Sequence, residues 1–140
     1  MLTGFIPLFT RILGNKYLEK NIKLDDVQTA QFIILVVLSK HDKITQKELA
    51  DHLSYSEGLI TRFLKQLEQN NYIHREIDEN NKRKKIITIT QKGIDLAEEI
   101  EKYNEIWEKE VFKFLNDDEF KTLTTNLYRA VENSEKYVEK

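Results

Sequence analysis

Four basic residues in a row, Lys82-Arg83-Lys84-Lys85, follow the turn-forming cluster Asp78-Glu79-Asn80-Asn81. A cationic segment of this kind can neutralise phosphates and release their counterions. Upstream, Thr61, Arg62, Lys65 and Gln69 share one outward helix face. A helix fits the DNA major groove, and an arginine on it can bind guanine through two hydrogen bonds. Ser56 and Gly58 are small enough to let that helix's N-terminus come close, where free amides and the helix dipole favour phosphate. Gln46 and Lys47 open a preceding short helix and are placed for backbone contacts. Glu57 is the discordant neighbour: it can accept from a cytosine amino group or simply point away.

Other chemistries lack their parts. The chain has no Gly-rich phosphate loop, no Ser/His/Asp arrangement and no paired catalytic carboxylates, so no enzyme and no cofactor is expected. It has no cysteine, which removes disulfides, thiolate metal sites and thiol switches. His41, His52 and His74 are scattered along the chain, and no metal is expected. The acidic stretch Glu98 to Glu110 reads as the solvent face of a long helix, with Glu98–Lys102 and Glu105–Lys109 at pairing distance.

The net charge of −2 is unusual for a partner of nucleic acid, but the charge is segregated. Residues 61–93 carry eight Lys/Arg against four Asp/Glu, whereas residues 94–140 carry seven against thirteen. A local positive segment is the form a phosphate footprint takes. The longest apolar run, Phe32 to Leu38, is far short of the ~20 residues a spanning helix needs. The apolar start lacks a basic n-region and a cleavage site. A cytoplasmic protein without a membrane partner is therefore expected.

The elements that must position these residues can be read from periodicity and caps. Phe5, Leu8, Phe9, Ile12, Leu13 and Tyr17 mark a first helix, which Pro7 requires to begin near itself. A second helix capped by Asp25 or Asp26 runs to Lys40-His41 and is apolar nearly all round, so it belongs at the centre. Its β-branched content also permits a strand. Thr45-Gln46-Lys47-Glu48 forms a capping box for a third helix, and Ser56 caps a fourth, with Ile60, Phe63, Leu64 and Leu67 inward. Asn70-Asn71 can end it in a left-handed conformation. Residues 72–90 read as a hairpin whose tip carries the basic run. Thr90 caps a fifth helix reaching Leu115, and Asn116 to Glu119 cap a sixth. The fold class is mainly α with a small β-hairpin wing: a winged helix-turn-helix with N- and C-terminal helices around it.

At this point the sequence resembles the MarR family. Arg75, then Asp78-Glu79-Asn80-Asn81-Lys82-Arg83, then Ile89-Thr90-Gln91-Lys92-Gly93 follow its wing pattern without a gap. Leu49-Ala50, Leu53, Thr61, Leu67-Glu68 and Ile73 match upstream. Asn81 stands where the family usually has aspartate, Lys82 where it has arginine, and Asn71 where it has glycine. The resemblance gives Arg83 the role of a minor-groove arginine. It implies one MarR-like domain over 1–140, with 24–93 as the winged helix-turn-helix (45–70 and a wing at 72–90), and 1–22 and 94–140 as dimerisation helices. It further implies a homodimer on a pseudo-palindromic double-stranded DNA operator, acting as a repressor and released by a small aromatic or anionic effector. The implied effector walls are Phe9, Leu13, Tyr17, Phe32, Val36 and Arg62. The implied dimer contacts are Phe5, Ile6, Phe120, Leu123, Leu127 and Val131. A winged helix that binds another protein is the competing function; the charged outward face of Thr61, Arg62, Lys65 and Gln69 argues against it.

Overall fold

The structure is a computed structural model that describes residues 6–138, with side chains from Arg11 onward. Phe5 and the side chains of Ile6 and Phe9 therefore lie outside the described residues. The elements are α1 (Ile6–Asn21), α2 (Thr29–Ser39), β1 (Ile44–Thr45), α3 (Gln46–Leu53), α4 (Glu57–Gln69), β2 (Ile73–Asp78), β3 (Asn81–Ile89), α5 (Gln91–Val111) and α6 (Asp117–Val138). Residues up to Asn104 form one compact unit and those from Glu105 a second.

The first unit is built around α2. Ile34, Leu35 and Leu38 are buried there, and they belong to one core cluster with Leu49 of α3, Ile60, Leu64 and Leu67 of α4, Ile87 of β3 and Ile100 of α5. An element apolar on nearly every side can be satisfied only at such a centre, and α2 is helical throughout. One polar side chain is buried with it. Gln31 accepts the Gln28 N–H at 2.8 Å through Oε1, and its Nε2 donates to Gln66 Oε1 at 3.0 Å. The amide thus closes the start of α2 and ties it to α4.

Gln28 and Gln31 take the capping position expected of Asp25 or Asp26. Asp26 is used elsewhere, accepting from the Tyr72 hydroxyl at 2.9 Å and from Lys92 Nζ at 3.3 Å. Lys92 also donates to the Asn70 carbonyl at 2.8 Å and lies over the Tyr72 ring. Burial pushes the Tyr72 hydroxyl up, and the adjacent Asp26 carboxylate adds to it, reaching about 12. For Asp26 itself burial works upward, but the bonds from Tyr72 and Lys92 outweigh it and hold the carboxyl below its ordinary value. This cluster joins the α1–α2 loop, the end of α4 and the start of α5.

The sheet has three antiparallel strands in the order β1-β3-β2. β1 was not expected from the sequence, because two residues carry no alternation to read. It pairs Ile44 with Ile87 and Thr45 with Ile86. β3 starts at Asn81, so the basic run does not sit at the hairpin tip as expected; Glu79 and Asn80 form the turn. Lys85 faces Ile77 and Asn81 faces Asp78, so β2 advances one residue while β3 advances four. Lys82, Arg83 and Lys84 fill the difference as an outward arch.

Asn71 adopts φ 63°, the left-handed turn expected at the end of α4. Thr90 Oγ1 accepts from the Gly93 N–H at 3.2 Å at the head of α5. α5 ends at Val111, short of the expected Leu115, and the Leu115 N–H turns back to the Phe112 carbonyl at 3.0 Å. In the second unit, Asn116 and Glu119 exchange reciprocal cap bonds of 2.9 Å at the head of α6. α6 has no buried residue. Phe120 packs against Phe112 with the rings tilted and their centres 5.9 Å apart, whereas Leu127 and Val131 are 51% and 55% exposed.

Candidate nucleic-acid interface

α3 begins with the capping box its sequence spells. Thr45 Oγ1 accepts the Glu48 N–H at 3.1 Å, and Glu48 Oε2 accepts the Thr45 N–H at 2.8 Å. That backbone bond is the main reason the Glu48 carboxyl sits below its ordinary value; nearby Lys84 contributes further. Ser54 ends α3 in a left-handed conformation with φ 53°. Only Tyr55 then separates it from Ser56, whose Oγ accepts the Leu59 N–H at 3.3 Å and starts α4. These caps fix the helix-turn-helix.

Ile60, Phe63, Leu64 and Leu67 bury one face of α4, and Glu57, Gly58, Thr61, Arg62, Lys65 and Gln69 are exposed on the other. The exposed set is the one the period required. The Arg62 guanidinium carbon lies 5.3 Å from the centre of the Phe63 ring. A Cβ added at Gly58 meets nothing within 4 Å. The chain's own packing thus does not demand glycine there. Gln46 of α3 reaches across to α4 and donates from Nε2 to Thr61 Oγ1 at 2.9 Å.

The arch is shaped by two side-chain turns. Asp78 Oδ1 accepts the Asn80 N–H at 2.9 Å, and Asn81 Oδ1 accepts the Arg83 N–H at 3.1 Å. Asn81 therefore does locally, with its amide oxygen, what a carboxylate oxygen could do in its place. The arch and the helix-turn-helix share a cleft of about 550 Å³. Gln46, Lys47 and Glu57 line one side, and Arg83, Lys84 and Lys85 the other. Glu57 is thus part of the cleft wall. Lys82 is exposed on the arch beside it.

Two contacts at this face are absent from the sequence reading. One is Gln46–Thr61. The other joins α4 to β2: Arg75 donates to Glu68 through its backbone N–H at 3.0 Å and its guanidinium at 2.9 Å. Both Glu68 and Arg75 belong to the motif, but nothing in a seven-residue separation across a helix end marks a pair. The Arg75 side-chain bond is the chief cause holding the Glu68 carboxyl below its ordinary value. A carboxyl lowered on folding adds stability above its unfolded value, about 4.3, and loses it as pH falls toward the folded value. Glu68→Gln is expected to be less stable than wild type at pH 7 in urea titrations. The gap should close as pH drops through that window, and a gap unchanged down to pH ~3 removes the ion pair from the account.

A second cleft, of about 460 Å³, lies against the less buried face of α2 that carries Ile33 and Val36. Phe32 and Val36 line it, with Arg11, Asn15, His52 and Tyr55. Of the expected effector walls, Leu13, Tyr17 and Arg62 are not among its lining residues. Tyr17 packs edge-on to Tyr103 with ring centres 6.2 Å apart; Leu13 is 55% exposed. His41 and His52, read as scattered, meet edge-on with ring centres 6.0 Å apart. Among the described residues, no helix is long and apolar enough to cross a membrane.

Residues 27–85 match the family model described as MarR family. An uncharacterized HTH-type transcriptional regulator from Bacillus cereus is 30% identical, over 88% of this chain and 82% of the relative. A crystal structure of a MarR transcriptional regulator from Methanosarcina mazei Go1 superposes with a TM-score of 0.89, at 27% identity, covering 96% of this chain and 97% of that one. The S. aureus MepR–DNA complex shares the fold at a TM-score of 0.81 and 22% identity, covering 93% of this chain and 96% of that one.

Proposed function

The chain belongs to the MarR family of transcriptional regulators, and from that premise we propose that it is a homodimeric repressor that binds a pseudo-palindromic duplex DNA operator and is released by a small effector. The observation that carries DNA binding is the cleft in which the N-terminal ends of α3 and α4 face the basic arch. In this reading α4 enters the major groove, Arg62 and Thr61 meet base edges, and Gln46, Lys47, Ser56 and Lys65 meet the backbone. Lys82, Arg83, Lys84 and Lys85 follow phosphates, with Arg83 turned toward the minor groove. Gly58 keeps the head of α4 bare for close approach. No covalent step is assigned to any residue.

The dimer reading rests on apolar side chains that the described residues leave uncovered. Ile106, Phe114, Leu127 and Val131 are 45%, 75%, 51% and 55% exposed. That is more apolar surface than scattered single residues account for. The C-terminal and N-terminal helices are assigned to that interface, and residues 24–93 to the reading head. The effector reading rests on the second cleft, where Phe32, Ile33 and Val36 supply apolar wall and Arg11 a cation. A small aromatic acid fits that combination.

Binding is tested by fluorescence anisotropy with a duplex taken from the chain's own promoter region, titrated with salt. Saturable binding that weakens steeply with salt is expected. A folded chain that leaves the duplex unbound at low salt sinks the DNA reading. Sedimentation should give twice the chain mass of 16.7 kDa; a monomer at the concentrations that bind DNA removes the dimer.

A further inference from the structure

Gln46 and Thr61 belong to different helices and meet at 2.9 Å, Nε2 to Oγ1. The direction of the bond has a consequence. The amide N–H donates, so it occupies a lone pair of the hydroxyl and leaves the hydroxyl proton uncommitted. A helical threonine often returns that proton to a carbonyl in the preceding turn. Thr124 does so, toward the Phe120 carbonyl at 3.1 Å and the Lys121 carbonyl at 3.0 Å. Thr61 is exposed, and Gln46 is its side-chain partner among the described residues.

The sense of the amide is set by what lies behind it. Gln46 Oε1 is buried and has no partner among the described residues. Turning the amide over would bury the NH2 group there instead. Two unmet donors cost more than one unmet acceptor, since an under-satisfied carbonyl is tolerated better than an orphaned N–H.

We propose that Gln46 is a specificity-determining residue that acts through Thr61, fixing its hydroxyl as a hydrogen-bond donor toward a base in the major groove. The inference rests on the reading of α4 as the DNA-recognition helix. Purine N7, guanine O6 and thymine O4 accept in that groove, whereas cytosine presents its amino donor. Thr61 so poised disfavours cytosine at the base it meets. Gln46 is a positioning residue: it takes no part in reading the base, but decides the polarity of the group that does.

The test is selection from duplexes with a randomised core of about 20 base pairs, two helical turns. Wild type, Gln46→Glu, Gln46→Ala and Thr61→Val are compared by sequencing the bound fraction. Wild type should show one position per half-site where cytosine is depleted roughly fivefold, the worth of one hydrogen bond. In Gln46→Glu the carboxylate accepts the Thr61 proton, the hydroxyl turns its lone pairs outward, and that position should move toward cytosine or adenine, whose amino groups donate. Gln46→Ala frees the hydroxyl to turn either way, and Thr61→Val removes it; both should flatten the position. The added negative charge of Gln46→Glu weakens binding to all sequences alike, so base preference is the readout. A folded Gln46→Glu that selects the wild-type base overturns the proposal. Should that variant not fold, a position flattened by Thr61→Val yet unchanged in Gln46→Ala overturns it equally. A wild-type chain that enriches no sequence overturns the recognition reading itself, and this inference falls with it.

Discussion

A chain with Lys82, Arg83, Lys84 and Lys85 all replaced by glutamine is expected to bind duplex DNA about a hundredfold or more weakly near 0.1 M salt. Each phosphate neutralised by a protein cation contributes about 0.9 to the slope of log affinity against log salt. Side chains alternate along a strand, so at least two of the four charges share the face toward the backbone. Two lost contacts remove about 1.8 from the slope, and four about 3.6. The arch favours the larger figure, because Lys82, Arg83 and Lys84 leave the regular ladder and are released from strict alternation. The measurement is anisotropy at several salt concentrations. Fold and stability should be unchanged, since all four side chains are exposed. A variant with wild-type slope and affinity places the phosphate footprint elsewhere on the molecule.

Gly93→Ala is expected to be the most damaging single-atom change to stability. A Cβ built at Gly93 meets the Tyr72 carbonyl oxygen at 2.3 Å and Ile89 Cγ1 at 2.6 Å. Neither can retreat cheaply. The Tyr72 oxygen is backbone, and it also accepts the Thr90 N–H at 3.0 Å. Ile89 sits on β3 opposite Ile73, packed against the core. Relief therefore requires the first turn of α5 to move off the base of the wing. That displaces Thr90 from its cap and Lys92 from Asp26 and Asn70. Overpacking commonly costs 1–3 kcal/mol, and a rigid backbone neighbour puts this site at the top, about 3 kcal/mol or more. With ~2.1 cal/mol/K of unfolding entropy per residue, the midpoint should fall by roughly 10 °C. Calorimetry gives the answer directly, and a shift of less than about 3 °C means the helix start yields more easily than its contacts imply. The glycine that closes the sequence motif thus has a reason inside the fold, unlike Gly58, which meets open space.

What the sequence disclosed and what it withheld divide along the range of the interactions. The caps at Thr45–Glu48, Ser56 and Asn116–Glu119 are bonds between residues three apart, so local residue types state them outright. The same holds for the left-handed turn at Asn71 and for the exposed face of α4, which follows from period alone. The misplaced features are the long-range ones. Asp26 looked like a helix cap because its neighbours suit one, but Tyr72, 46 residues away, claims it. Gln31 is polar in an apolar run and gave no hint that its partner Gln66 lies 35 residues on. The arch arises from register between two strands, and register is a property of the pair rather than of Lys82–Lys85. For the reading head, residue identity sufficed to place Arg62, Lys65 and the basic run on the surface. The link between Gln46 and Thr61 required the turn at Ser54 to be known first.

β1 looks negligible at two residues, yet it makes the wing a cantilever. Ile86 and Ile87 have partners on both flanks, Thr45 and Ile44 on one and Glu76 and Arg75 on the other. Beyond Lys85 that double clamp is gone. Amide hydrogens at the root should exchange with solvent slowly, and those of Lys82 to Lys84 quickly. In the proposed DNA-binding role, the clamped root would transmit a tilt of α3 to the wing, while the free span would bend to meet the backbone before it. Stiffness at the base and compliance at the end would let one wing track duplexes of different groove width without disturbing the helices that hold it.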